Sequence, residues 1–217
     1  MPVSRPAGDT GGPDPAVTAV LAAYAAGAAT EHAVLTAVAA SRLLVPVVAV
    51  LAEASADGTE KETEMALPTL IGNDGRKAVI AFTGTGPVTR WRADARPVPV
   101  PAARLWPAVA AEQADAVVID VAGPVPLVVE GARLRALASG EPPPLPHEDP
   151  DVRAQVAAVV DEFTLEPGGF TLEPGGPDAD LTVTLKTTDP AAARAAAEAI
   201  AARLAPRLRR GIAVRIG

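Results

Sequence analysis

Five of the ten residues from Glu141 to Pro150, EPPPLPHEDP, are proline. Proline lacks the N–H that a helix interior or a central strand requires, and it pushes the residue before it toward an extended backbone. No regular element can run through such a stretch. The chain must therefore fold as two pieces, 16–140 and 151–217, joined by a stiff, extended link at 141–150. The residues before them, 1–15, read MPVSRPAGDTGGPDP. They are small, polar and broken by proline, and are expected to be disordered.

Apolar residues make up 49% of the 217-residue chain but aromatics only 3%, so the cores must be built from Ala, Val, Leu and Ile. So few rings leave no stacking platform for bases. The net charge of −7 argues against a general polyanion binder, which needs clustered Lys and Arg to neutralise phosphates. There is no cysteine, which excludes disulfides, thiolate nucleophiles and thiolate metal sites and fits a reducing cytoplasm. The start of the chain lacks the basic-then-apolar pattern of a secretory signal. The apolar runs Ala16–Ala29 and Leu43–Leu51 are shorter than the ~20 residues a membrane span requires. The expectation is a cytoplasmic protein with no membrane contact.

Local signals place the elements. Asp14-Pro15 caps a helix over Ala16–Ala28, and Thr30 caps a second over Glu31–Ala40. RLLVPVVAVL reads as a buried strand that Pro46 pushes toward a sheet edge or a bulge. EMALPTLIG and RKAVIAFTG are joined by Asn73-Asp74-Gly75, a hairpin turn signal. TGTGPVTRW opens a short helix, ARPVPVP is extended, and Ala102–Glu112 is helical. DAVVIDVAG and PLVVEG are strands, and GARLRALASG is a helix closed by Gly140. Beyond the link, Asp151–Glu162 is helical. DLTVTLK alternates with period two, Asp189-Pro190 caps a helix to Leu204, and GIAVRI alternates again. The fold class is α+β: a mixed sheet with flanking helices, then a smaller domain with a strand–helix–strand unit.

Phe163–Gly176 is one seven-residue phrase written twice, FTLEPGG-FTLEPGG. Two copies are too few for a repeat architecture. Pro-Gly suits a type II turn, so Phe163–Leu165 could pair with Phe170–Leu172 as a small hairpin in an exposed loop. Lengthening a loop costs only ~0.6 kcal/mol per doubling, so one copy is expected to be dispensable.

Candidate chemistry is sparse. His32 and His147 lack a neighbouring nucleophile or orienting partner, and His147-Glu148-Asp149 would be a metal set with no rigid support. Thr83–Gly86 puts two glycines before a helix and could hold an anion, although its spacing fits no nucleotide fingerprint. Glu60–Glu64, EKETE, reads as a solvated acidic run. Trp91 and Trp106 are core fillers or, if exposed, interface anchors. Arg203, Arg207, Arg209 and Arg210 crowd the end of the last helix. They complement its dipole or, less simply, touch RNA. No catalytic residue, cofactor or metal is expected.

SRLLVPVVAV, EKETEMALPTLIGNDGRKAVIAFTGTGPVTRW, ARPVPVPAARLW and DAVVIDVAGPVPLVVEGARLRALASG occur in that order. Together they resemble the SseB family, the enhanced serine sensitivity proteins, over roughly residues 16–140. The most specific part is Val79–Gly84 followed by Trp91 and RPVPVP. The resemblance implies a soluble α+β bacterial protein, and the Ala, Pro, Val and Arg bias suggests a high-GC genome. It carries over no catalytic residue. The expected function is a non-catalytic module that binds an unknown protein partner, with Trp91, Trp106, Arg207, Arg209 and Arg210 as candidate contacts. The alternatives are a small-molecule enzyme with an anion site near Thr83–Gly86, and a translation-associated factor touching RNA through its arginines.

Overall fold

The computed structural model describes residues 12–47, 69–163, 165 and 169–217. Residues 1–11, the acidic run 60–64 and the start of the first hairpin strand lie outside that range.

The N-terminal part opens with two capped helices, α1 (Pro15–Ala25) and α2 (Glu31–Ala39). The Asp14 side chain accepts from the Ala16 N–H and Thr30 from the Ala33 N–H, as the cap signals require. Strand β1 (Arg42–Val47) pairs antiparallel with β4 (Arg96–Pro101). Strands β2 (Thr69–Ile71), β3 (Lys77–Ala81), β5 (Ala116–Ile119) and β6 (Leu127–Glu130) form a second sheet in the order β2-β3-β5-β6. In it β3 and β5 are parallel and both outer pairs are antiparallel. Helices α3 (Thr85–Trp91), α4 (Ala102–Ala111) and α5 (Gly131–Ala138) complete this part.

The PVPVP pattern explains how β4 ends its sheet. In the ladder Pro97 faces Pro46, and Pro99 and Pro101 face Leu44 and Arg42. Leu44 turns its own N–H and C=O away from β4, to Phe82 at the end of β3, at 2.7 and 2.8 Å. Every residue opposite a β4 proline is thus a non-hydrogen-bonded position, so the ladder loses no bond to them. The outward side of β4 offers no N–H from Pro97, Pro99 or Pro101, which blunts it as a template for another strand. Pro46 is tolerated for the same reason, and β1 still buries Leu43, Leu44 and Val45.

The core of this part gathers Val17, Tyr24, Leu35, Leu43, Val79, Trp106, Val117, Val129 and their neighbours between the helices and one sheet face. A small second cluster of Leu44, Ile80, Phe82 and Val88 lies under α3.

The C-terminal part contains α6 (Pro150–Glu162), β7 (Phe170–Pro174), β8 (Leu181–Leu185), α7 (Pro190–Leu204) and β9 (Ile212–Ile216). Its sheet is ordered β7-β8-β9, with β8 and β9 parallel across α7. Leu181, Val183 and Leu185 bury one face against α6 and α7, with Val156, Val160, Ile200 and Leu204.

The duplicated phrase departs from the expected hairpin. Phe163 closes α6 as its C-cap, Leu165 is buried in the core, and Phe170–Pro174 pairs with β8 in full register. The two phenylalanines that open the copies thus take different places, Phe163 at the end of α6 and Phe170 opposite Leu185 in the sheet. The glycines of the second copy are not equivalent either. A Cβ on Gly175 would lie 2.1 Å from the Ala179 carbonyl oxygen, whereas one on Gly176 meets nothing within 4 Å.

Candidate functional site

Two places concentrate polar groups. The first lies beyond the ends of the parallel strands β3 and β5, where open α/β sheets commonly hold ligands. Asp120 follows β5 with φ +52 and is 4% exposed. Its carboxylate accepts from the Thr83 N–H at 2.9 Å and the Thr83 hydroxyl at 2.6 Å. Burial raises the Asp120 pKa, while the bonds from Thr83 and the charge of Arg90 oppose the rise. Both oxygens are committed to Thr83. Gly84, which precedes α3, packs on Pro13, 3.0 Å from where its Cβ would stand. The helix it opens has only seven residues. The Thr83–Gly86 turn is therefore occupied by the protein's own contacts.

The second place joins the parts before and after the proline stretch. Glu31 at the start of α2 accepts from Arg133 of α5 at 2.5 Å and from Arg207, beyond α7, at 3.1 Å. Arg207 also donates to Asp149 at 2.5 Å, and the other oxygen of Asp149 caps α6 through the Asp151 N–H at 2.8 Å. The side chains of Glu31, Arg133, Arg207 and Asp149 are 7%, 4%, 12% and 0% exposed. Burial raises the Glu31 carboxyl above the ordinary carboxylate range, against the pull of Arg133 and Arg207. Burial likewise lowers the Arg133 guanidinium, with Glu31 pulling the other way.

The same seam carries further bonds. The Tyr24 hydroxyl donates to the Arg207 carbonyl at 3.0 Å, and the Arg209 guanidinium lies 5.4 Å from the Tyr24 ring centre. Asp151 accepts from the Ala132 N–H at 2.7 Å and so caps α5 from across the seam. Gly131, at φ +59, is required there, because a Cβ would come within 2.0 Å of that carboxylate.

The residues singled out in the sequence fall into different settings. Trp106 is 1% exposed, inside the main core. Trp91 is half-buried, its ring 5.5 Å from Phe82 and 5.9 Å from the Arg92 guanidinium. Arg207 and Arg209 belong to the seam. Arg210 bonds Asp180 through its own N–H and the Gly176 and Pro177 carbonyls through its guanidinium. Arg203 pairs with Glu162. His147 stands 3.7 Å from Glu148, and no group of three metal-ligating side chains occurs among the described residues. Sequence reasoning missed Glu31, Arg133 and Asp149. Glu31 reads locally as an ordinary helix-start residue and Asp149 as one of the His147-Glu148-Asp149 run in the proline link, and nothing in the sequence links positions 102 and 176 residues apart.

The family model of the SseB protein N-terminal domain matches residues 17–136, just over half of the chain. The chain belongs to the SseB family. No curated protein and no solved structure matches it. Glu31 and Arg133 lie inside the SseB N-terminal domain, Asp149 and Arg207 beyond its end. The buried charge cluster thus ties the family domain to the part that follows it. No helix among the described residues is long and apolar enough to cross a membrane.

Proposed function

We propose that this SseB-family chain is a non-catalytic cytoplasmic module that binds a protein partner. The reading rests on where apolar surface is exposed. Six large hydrophobic residues are exposed among those described, and two of them, Leu70 and Val128, lie on one face of the β2-β3-β5-β6 sheet. The register puts Leu70, Ala78 and Ala116 on one face, with Val118 and Val128 one step along the same face. The opposite face of these strands is the main core. On the outer face Ile80, in the row of Val118 and Val128, is covered by the small cluster under α3, and Ala116 is also buried. Leu70 and Val128 are exposed at the two edges of this face, with Ala78 and Val118 half-buried between them, and such a surface fits a partner that presents an apolar surface of its own.

The two other readings draw less support. An enzyme built on the Thr83–Gly86 turn would be served by convergent carboxylates there, and Asp120 is a single carboxylate held by Thr83. RNA contact would be served by free cations, and Arg207 and Arg210 are engaged within the chain. The test is capture of the tagged protein from its own cells with and without RNase, beside the Val128→Glu variant. A stoichiometric protein that survives RNase and is lost with Val128→Glu supports the proposal. Equal capture by the variant overturns it. Val128 is 46% exposed, so the substitution leaves folding within about 0.5 kcal/mol.

A further inference from the structure

We infer that the cleft along the seam binds a small organic or inorganic oxyanion, a carboxylate or a phosphate. This goes beyond the protein-binding reading and does not depend on it. The cleft has a volume of about 470 Å³ and is walled from both sides: Arg76, Asp115, Glu130, Arg133 and Arg135 from one part, Asp151, Gln155 and Arg207 from the other. Clefts between packed parts of a chain are favoured ligand sites.

The class of ligand follows from which polar groups are already engaged. All three carboxylates have partners: Asp115 accepts from the Lys77 N–H at 2.8 Å, Glu130 from Arg76 at 2.6 Å, and Asp151 from the Ala132 N–H at 2.7 Å. Arg207 is spent on Glu31 and Asp149. Three groups remain. Arg135 is 69% exposed and only approaches Asp151, at 3.8 Å. The buried Arg133 uses one terminal nitrogen on Glu31 and the Val128 carbonyl, and its Nε–H has no hydrogen-bond partner. The Gln155 Oε1 is likewise buried without one. Neither of the other two cavities described is lined by an unpartnered buried polar atom. Two guanidinium donors and one amide acceptor are complementary to an anion that also carries a donor, such as a protonated phosphate oxygen or a hydroxyl. Gln155 is only half-buried, and its flexible side chain can swing to admit the ligand to Arg133.

The test uses the full chain, with arginine Nε–H and glutamine amide resonances followed by NMR. Inorganic phosphate and glycolate, a carboxylate that carries a hydroxyl, are titrated separately, against chloride at matched ionic strength. The expected result is saturable movement of the Arg133 and Gln155 signals with one Kd for at least one probe. Arg135→Gln should weaken that Kd by about tenfold or more, while Arg194→Gln, on the exposed face of α7, leaves it unchanged. Gln155→Leu, which keeps every arginine, should also weaken it. Phosphate alone saturating assigns a phosphate site, and glycolate alone a carboxylate site. Movement that fails to saturate, that chloride reproduces, or that survives either Arg135→Gln or Gln155→Leu overturns the inference.

Discussion

Replacing Arg207 with methionine tests the seam most directly. Methionine keeps much of the aliphatic bulk and removes the charge. The change leaves Glu31 with one of its two arginines and takes the charged partner from Asp149, whose side chain is 0% exposed. Removing one member of a buried ion pair costs about 3–5 kcal/mol, because the remaining charge stays desolvated. In a chain of this size each kcal/mol lowers the Tm by about 2–4 °C, so the fall should be roughly 6–20 °C. Urea unfolding followed by far-UV circular dichroism measures the loss. Arg194→Ala is the control: Arg194 and Glu198 are 84% and 71% exposed, and that pair is worth at most about 0.5 kcal/mol. The pH dependence carries a sign. Burial raises the folded pKa of Glu31. Its contribution is therefore fully present below the unfolded value of about 4.3 and is lost as pH rises through the folded value. Losing Arg207 removes one opposing pull and raises the folded value further. The variant's deficit should narrow as pH falls from about 7 toward about 5. A loss below about 1 kcal/mol, or a deficit that widens on acidification, would refute a dry, interlocked cluster.

Three further outcomes follow from particular contacts. Asp120→Asn keeps an acceptor for the Thr83 N–H and tolerates φ +52, so it should be near neutral in stability. Because the folded pKa of Asp120 is raised, wild-type stability at this group is lost as pH rises through that value, and the Asn variant should lack this dependence. Asp120→Ala orphans the Thr83 N–H and should cost about 1–3 kcal/mol in the same urea assay. Gly175→Ala forces backbone apart in the β7–β8 turn and should lose about 1–3 kcal/mol, while Gly176→Ala should stay within about 0.5 kcal/mol. Removing either copy of FTLEPGG yields the same chain. With α6 ending at Glu162 and β7 beginning at Phe170, the remaining copy must serve as both connection and strand. The burial of Leu165 or Phe170 is then lost, at about 1.5–3 kcal/mol, and an unchanged Tm would show the connection to be dispensable after all.

Much of the framework was legible before folding. Asp14-Pro15, Thr30 and Asp189-Pro190 mark helix starts because a side-chain oxygen can reach an N–H two or three residues on, an interaction local in sequence. The alternation of LTVTL gave a strand with one core face, and PVPVP gave an extended segment whose position at a sheet margin the ladder register explains. The SseB resemblance rests on a series of such segments, and the family match covers them as far as residue 136.

What the sequence determined by itself is therefore the order and kind of elements, the aliphatic cores and the family, since each depends on neighbours a few residues apart. The tertiary structure decided partners. It set Phe163 at the end of α6 and Phe170 opposite Leu185, although each opens the same heptapeptide phrase. It turned Arg207 from a cation at a helix end into a buried link between Glu31 and Asp149. Those charges come from four elements or their flanks, and long-range pairing of side chains is set by packing, which leaves no periodic trace in the chain.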